Sequence, residues 1–292
     1  MSADWTVPDR LSALRNLPDG RDWLAALPAR LAECAERWEL RTGPPYRDSF
    51  ASLAVPAVRA DGTRAVLKLQ YPEAESRHEA DALAHWAGDG AVRLLAHDPV
   101  RRALLIERCV PGEPLFSRPA PEAVGVLVGL LPRLWRPEGA PFTTLAEQAA
   151  GWAARLPDHW ERAGRPFPRR DVDAILELLP ALAASQGEQV LVNQDLHTGN
   201  VLAAEREPWL VIDPKPLVGE REFSVVPAVR GTELGHSAVA VRYRLDRLSA
   251  ELGLDRERVR GWTVCQTASW CFGTGTVFPP HVDVIRWLLG PG

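Results

Sequence analysis

The 292-residue chain is 46% hydrophobic with a formal net charge of −4 and a pI near 6.0. That is ample material for one large or two modest cores, without the basic excess that tracks nucleic-acid phosphates. Cys34, Cys109, Cys265 and Cys271 fall at irregular intervals with no CxxC pair, which speaks against a zinc site or a disulfide framework and for a reducing cytoplasm. The start MSADWTVPDRLSALRNLPDG lacks a basic, apolar leader, and the longest apolar stretch, around Val124 to Leu131, is too short for a bilayer. The sequence therefore predicts a soluble cytoplasmic protein, a monomer or weak homodimer, with no nucleic-acid or membrane partner.

In chain order, the spacing of Trp23, Leu24, Leu27, Leu31, Cys34 and Trp38 predicts an amphipathic helix over 22–40, interrupted near Pro28. ASLAVPAVR and AVLKLQ, separated by ADGT, predict an antiparallel hairpin. A helix over 77–86 and two strands within VRLLAHDPVRRALLIERCV follow. Composition shifts at Val110-Pro111-Gly112, predicting a division into 1–112 and 113–292. Beyond it, helices are predicted over 121–134, 144–156, 172–185, 232–252, 256–270 and 283–289. Short β-like runs at 189–195, 200–204 and 207–214 interrupt them.

Those β-like runs carry the chemistry. Asp195 stands five residues before Asn200, and Asp213 closes the run WLVID thirteen residues later. Phosphoryl transfer from a nucleotide needs an acceptor for the hydroxyl proton, oxygen ligands for magnesium and a cation on the phosphates. Asp195 and Asn200 on one loop, with Asp213 on the next strand, supply the first two, and the D-x-x-x-x-N spacing matches a kinase catalytic loop. Asp213 at the strand end is a hard oxygen donor suited to Mg²⁺, which takes only one or two carboxylates from protein. The cation is Lys68. Only it and Lys215 are lysine among 34 basic residues, and a strand lysine followed by a helix bearing Glu79 is the arrangement that holds a lysine against phosphates. Glu73 and Glu75 compete with Glu79 for that partnership.

At WEL (38–40), RADGTRAVLKLQ (59–70), DLHTGNVLAAEREPWLVIDPKPLVG (195–219) and LGLDRERVRGW (252–262) the sequence resembles the aminoglycoside phosphotransferases, in particular the streptomycin and hydroxyurea phosphotransferase branch. The resemblance implies an α+β, protein-kinase-like bilobal fold: an N-terminal nucleotide-binding lobe of antiparallel sheet with one inserted helix, and a mostly helical C-terminal lobe with the catalytic loop and acceptor site. It implies Mg²⁺-dependent transfer of the γ-phosphate of ATP or GTP to a small-molecule acceptor. Streptomycin or another aminoglycoside is the first expectation, hydroxyurea or another hydroxylated metabolite the alternative. It also implies Asp195 as the catalytic Asp, Asn200 and Asp213 as metal ligands, Lys68 on the phosphates, and a hinge at 106–109 with backbone groups of Glu107 and Cys109 on the purine.

The chain departs from the family pattern in two places. Asn193-Gln194 stands where such kinases carry His-Gly or His-Trp, so the hydrogen bonds supporting the loop differ, and a nucleotide-binding pseudokinase is a competing expectation. No G-x-G-x-x-G lies between the first two strands, so the candidate phosphate loop RDSFAS (47–52) would work through Ser49, Ser52 and backbone N–H groups. A polycationic acceptor would call on helical-lobe acids, with Glu147, Glu222, Glu233 and Asp283 as candidates. Lys215 is a candidate phosphate contact. From a different class, Gly235-His236-Ser237-Ala238-Val239 approximates a serine-hydrolase elbow, with His236 or His281 as base.

Overall fold

The computed structural model describes residues 7–47, 51–137, 139–273 and 276–290. The chain divides into two compact units, Met1–Gly112 and Glu113–Gly292.

In the first unit, helix α1 (Gly20–Arg37) precedes strands β1 (Arg41–Thr42), β2 (Ser52–Val58) and β3 (Arg64–Gln70), helix α2 (Glu79–Trp86), and strands β4 (Leu94–Asp98) and β5 (Ala103–Glu107). The strands form one antiparallel sheet in the order β1-β2-β3-β5-β4. Strand alternation sorts β3 between two faces. Leu67 and Leu69 join Leu53, Val55 and Leu105 in a buried cluster with Trp23, Leu24, Leu27, Leu31 and Cys34 of α1. Lys68 points to the other face, where α2 supplies its partner. The sequence breaks α1 at Pro28, yet the helix runs through it. The proline forfeits one helical hydrogen bond, but the buried apolar stripe on either side keeps both halves on one axis. Gly20 opens the helix because the chain passes so close that a Cβ there would lie 1.8 Å from the Leu14 carbonyl oxygen.

In the second unit α3 (Ala120–Leu134), α4 (Leu145–Arg162) and α5 (Arg169–Ala184) lead into β6 (Gln189–Asn193), β7 (Val201–Ala203), β8 (Trp209–Val211) and β9 (Pro216–Glu220), then α6 (Val226–Arg230), α7 (Ala238–Leu252), α8 (Arg256–Ser269) and α9 (Pro279–Leu289). Two antiparallel ribbons, β6 with β9 and β7 with β8, hold the ends of the Asp195–Asp213 segment. Helix α4 outruns its predicted end at Leu156, passing Pro157 because Trp160 is buried beyond it. The predicted helix over 232–252 begins only at Ala238, since Ser237 caps it by accepting from Ala240 N. Strand β9 has no counterpart in the sequence reading; Pro214 and Pro216 at its start disguise it. Buried Glu220 at its end is gripped by the Arg258 guanidinium at 2.7–3.1 Å and by the Trp262 indole N–H, fixing β9 to α8. Among the described residues no helix is long and apolar enough to cross a membrane.

Candidate active site

The functional side chains predicted from sequence fall in both units. In the first, Lys68 Nζ lies 2.8 and 2.6 Å from the two carboxylate oxygens of Glu79. Both side chains are buried, Glu79 completely. Gln70, two residues along β3 on the same face, donates its amide to Glu79 Oε2 at 2.7 Å and to the Ser76 carbonyl at 3.2 Å. Glu79, rather than Glu73 or Glu75, is thus the carboxylate that faces the strand lysine. Bidentate contact and the Gln70 amide answer the lone pairs that desolvation would otherwise leave exposed to a low-dielectric interior. Ser52 opens β2 opposite Gln70 and is buried, whereas Ser49 lies outside the described residues. Glu107 ends β5, with its carboxylate and backbone N–H both tied to the backbone of Arg93; Cys109 follows, half-buried.

In the second unit β6 delivers Asn193 to the head of the catalytic loop. Its side-chain Oδ1 accepts from Asp195 N at 3.0 Å and from Lys215 N at 3.0 Å, so one amide binds the loop to the segment after Asp213. Gln194 N donates to the Lys215 carbonyl, and the Gln194 carbonyl accepts from buried Gln266 of α8 at 2.7 Å. These contacts are the alternative support that the Asn193-Gln194 departure requires. Asn200 Nδ2 donates to the Asp195 carbonyl at 3.0 Å, and Ile212 N donates to the Asn200 carbonyl at 2.9 Å. Asn200 therefore links Asp195 to Ile212, the residue before Asp213. Asp213 adopts a left-handed backbone with φ of 49°, a conformation costing roughly 1–3 kcal/mol when over-determined by its surroundings and one found disproportionately at functional positions.

Asp195 is partly buried, and its oxygens face two cations: Lys215 Nζ is 3.5 Å from Oδ2 and Arg230 Nη2 is 3.8 Å from Oδ1. Burial pushes the Asp195 carboxyl above its ordinary range and Asp213 adds to this, against the lowering pull of Lys215, His197 and Arg230. Both cations stack on Trp270, Lys215 at 5.3 Å and Arg230 at 4.8 Å from the ring centroid. His197 Nδ1 lies 2.9 Å from Glu233 Oε1 and 3.1 Å from Gly199 N. Burial works to lower the His197 pKa, but the Glu233 hydrogen bond and the charges of Asp195 and Glu233 carry it upward. Any side chain at Gly199 would strike the imidazole, since a Cβ there would lie 2.7 Å from His197 Cε1.

The donor set fits a magnesium ion. Among the described residues no group of three His, Cys, Asp or Glu side chains could enclose a metal, which speaks against an all-protein cage. Asp213 offers one carboxylate, and because the Asn200 amide nitrogen is spent on Asp195, its Oδ1 is the end left to ligate. Mg²⁺ uses such a sparse protein set and completes its shell with phosphate and water.

Arg230, Gln266, Trp270 and His281 also belong here, and the sequence did not single out the first two. Arg230 donates Nε to Gln266 Oε1 at 3.1 Å and Nη1 to His281 Nε2 at 3.1 Å. It was hidden among many arginines. The acids expected to greet a polycation are engaged elsewhere. Glu147 forms the capping box of α4 with Thr144, Glu222 accepts from Asp255 N, Glu233 pairs with His197, and Asp283 with His236 and Arg286. The hydrolase reading fails on geometry: Ser237 Oγ is a helix cap with no strand before it, His236 turns to Asp283, and His281 turns to Arg230 and the Trp270 carbonyl.

Comparison with known proteins places these features in context. The sequence profile of the family described as "Aminoglycoside/hydroxyurea antibiotic resistance kinase" matches residues 37–273. A hydroxyurea phosphotransferase from Kitasatospora aureofaciens is 44% identical, over 93% of this chain and 81% of that protein. A streptomycin 6-kinase from Streptomyces griseus is 40% identical, over 94% of this chain and 92% of that protein. Among solved structures, a choline kinase from Streptococcus pneumoniae superposes with a TM-score of 0.63 at 11% identity, covering 88% of this chain and 96% of that one. That likeness concerns the fold, which is protein-kinase-like as the motifs implied.

Proposed function

The chain belongs to the aminoglycoside/hydroxyurea antibiotic resistance kinase family, and on that premise we propose that it transfers the γ-phosphate of ATP or GTP to a hydroxyl of a small-molecule antibiotic, with Mg²⁺ as its divalent ion. The observation that carries the reading is the convergence of the Asp195 loop, Asn200 and the strained Asp213 through the Asn193 and Asn200 hydrogen bonds.

The first unit would bind the nucleotide, with Lys68 held by Glu79 as a point charge on its phosphates. Ser52 closes the candidate phosphate loop where β2 begins, and backbone groups of Glu107 and Cys109 would meet the purine. The second unit would carry the acceptor. Asp195 accepts the acceptor's hydroxyl proton as the new oxygen–phosphorus bond forms and the bond to the departing nucleoside diphosphate breaks; the proton then passes to solvent. A carboxyl raised by burial is the better proton acceptor for this task. Asn200 and Asp213 would hold the Mg²⁺, which when bound offsets charge on the transferred phosphate.

The test is an incubation of the protein with Mg²⁺, ATP or GTP, and a panel that includes streptomycin and hydroxyurea, read by mass for a phosphate adduct. A new adduct that disappears with chelator and with Asp213→Ala is the expected result. Nucleotide binding with no adduct across the panel would favour a pseudokinase.

A further inference from the structure

The pair of Lys68 and Glu79 joins a strand to a helix, so the lysine is only as well placed as the helix is. Helix α2 is short, and Glu79 is its first residue, at the end where a helix has N–H groups without intrahelical partners. His78, just before it, turns its imidazole to Asp81 instead of capping the helix. The restraint comes from β3. Both hydrogens of the Gln70 amide nitrogen cross from strand to helix, one to Glu79 Oε2 at 2.7 Å and the other to the carbonyl of Ser76, in the turn that leads into α2, at 3.2 Å. A carboxylate and a carbonyl only accept, so the amide can face them with its nitrogen alone. Gln70 is itself fixed along its backbone. Its N–H donates to the Arg102 carbonyl at 2.9 Å, and its carbonyl accepts from the Trp23 indole of α1 at 3.1 Å. The Arg102 guanidinium meets the same turn at the Glu73 carbonyl and the Ser76 hydroxyl, each at 3.3 Å. Gln70, Ser76 and Glu79 are all buried, where a carboxylate that loses a donor is not repaid by water.

We propose that Gln70 is a positioning residue for the phosphate-binding lysine: its amide latches the start of α2 to β3 and so sets where Glu79, and through it the Lys68 ammonium, stands. This rests on the phosphotransferase reading above, in which Lys68 is the cation on the nucleotide phosphates. Gln70 touches neither phosphate nor acceptor in this role. It acts through the carboxylate, and its removal should be felt only by a ligand that has phosphates for Lys68 to meet.

The test uses that distinction. Dissociation constants are measured with Mg²⁺ for a non-hydrolysable analogue of ATP or GTP, whichever wild type binds, and for the matching nucleoside. Wild type is expected to bind the nucleotide more tightly. Gln70→Met, which fills the space of glutamine without a donor, is expected to cut that preference about tenfold while the nucleoside constant stays within about threefold, the scale of a lost hydrogen bond to a charged group. In a Lys68→Ala background the same substitution is expected to leave the preference within about twofold, because the latch then has no lysine to place. An unmoved preference in a folded Gln70→Met protein overturns the proposal. So does an equal loss with and without Lys68, which is how a residue that only stabilises the fold behaves. If Gln70→Met does not fold, Gln70→Asn, which keeps the amide but withdraws it by one methylene, decides by the same two comparisons. A wild type that binds neither ligand sinks the phosphotransferase reading itself and the proposal with it, an outcome distinct from nucleotide binding that Gln70 does not affect.

Discussion

Glu79 and Asp195 each face a lysine, and they do so differently. Glu79 is fully buried and in direct hydrogen-bonding contact with Lys68, at 2.6 and 2.8 Å, with Gln70 satisfying the same carboxylate. Asp195 is only partly buried and holds Lys215 and Arg230 at 3.5 and 3.8 Å, beyond hydrogen-bonding distance. The cations themselves are positioned by Trp270, and Arg230 also by Gln266 and His281. A tight pair fixes where a charge sits. A carboxylate ringed at longer range keeps its lone pairs oriented for a third group, as a proton acceptor requires. The first arrangement suits a positioned cation and the second a reacting base.

The largest effect that separates them is expected at Asp195. Positioned proton acceptors contribute about 10²–10⁴-fold, so Asp195→Asn should lower kcat by that order, about 3–5 kcal/mol of barrier, with nucleotide affinity and melting temperature little changed. A folded, nucleotide-binding variant keeping more than about a tenth of wild-type kcat would place Asp195 outside the chemistry.

At the tight pair the loss should divide between catalysis and folding. Removing one partner of a buried ion pair strands the other charge, at about 3–5 kcal/mol. Glu79→Ala should therefore lower the melting temperature markedly, whereas Lys68→Ala, which leaves a carboxylate still accepting from Gln70, should destabilise less while weakening turnover. Lys68→Arg should not restore activity, because a planar fork cannot occupy the place of a compact ammonium. Paired kinetics and thermal melts decide this, and an active Lys68→Arg enzyme would mean that the lysine serves only the strand.

Much of this was legible in the sequence where a local rule governs. The hairpin around Asp-Gly, the D-x-x-x-x-N spacing and the rarity of lysine led directly to Lys68, Asp195, Asn200 and Asp213. Glu79 followed from placing a helix after the lysine strand. What escaped depends on distant pairing. Pro28 reads as a breaker until the sheet that holds both halves of α1 is known, and β9 is invisible because two prolines stand at its start while its partner β6 is more than twenty residues away. Arg230 and Gln266 bear on Asp195 only because α6 and α8 pack together, and no spacing in the sequence announces that. Asn193 was noticed as a departure, but its bridging of two backbone N–H groups, one of them twenty-two residues distant, is a property of the fold.

The smallest expected effect probes the neutral groups that hold Arg230. His281 is buried, with Nδ1–H donating to the Trp270 carbonyl at 3.1 Å and Nε2 accepting from Arg230. Accepting from Arg230 requires the uncharged ring, and burial first, then the Arg230 charge, lower its pKa to about 3 against the raising pull of the Trp270 carbonyl. The unfolded chain binds a proton at this residue near pH 6.5 and the folded chain does not until about pH 3. Its contribution to stability is thus fully present above pH 6.5 and is lost as the pH falls through that window. By pH 4.5, two units below pH 6.5, the loss should be at most about 2.7 kcal/mol at 1.36 kcal/mol per pKa unit. Carboxylates elsewhere also weaken the fold in acid, so the informative quantity is the difference between wild type and His281→Asn, whose amide can still donate to Trp270 but cannot titrate. Melting temperatures recorded from pH 7 to pH 4.5 should fall more steeply for wild type, and parallel curves would show that the ring is not held neutral and that Arg230 is oriented by Gln266 and Trp270 without it.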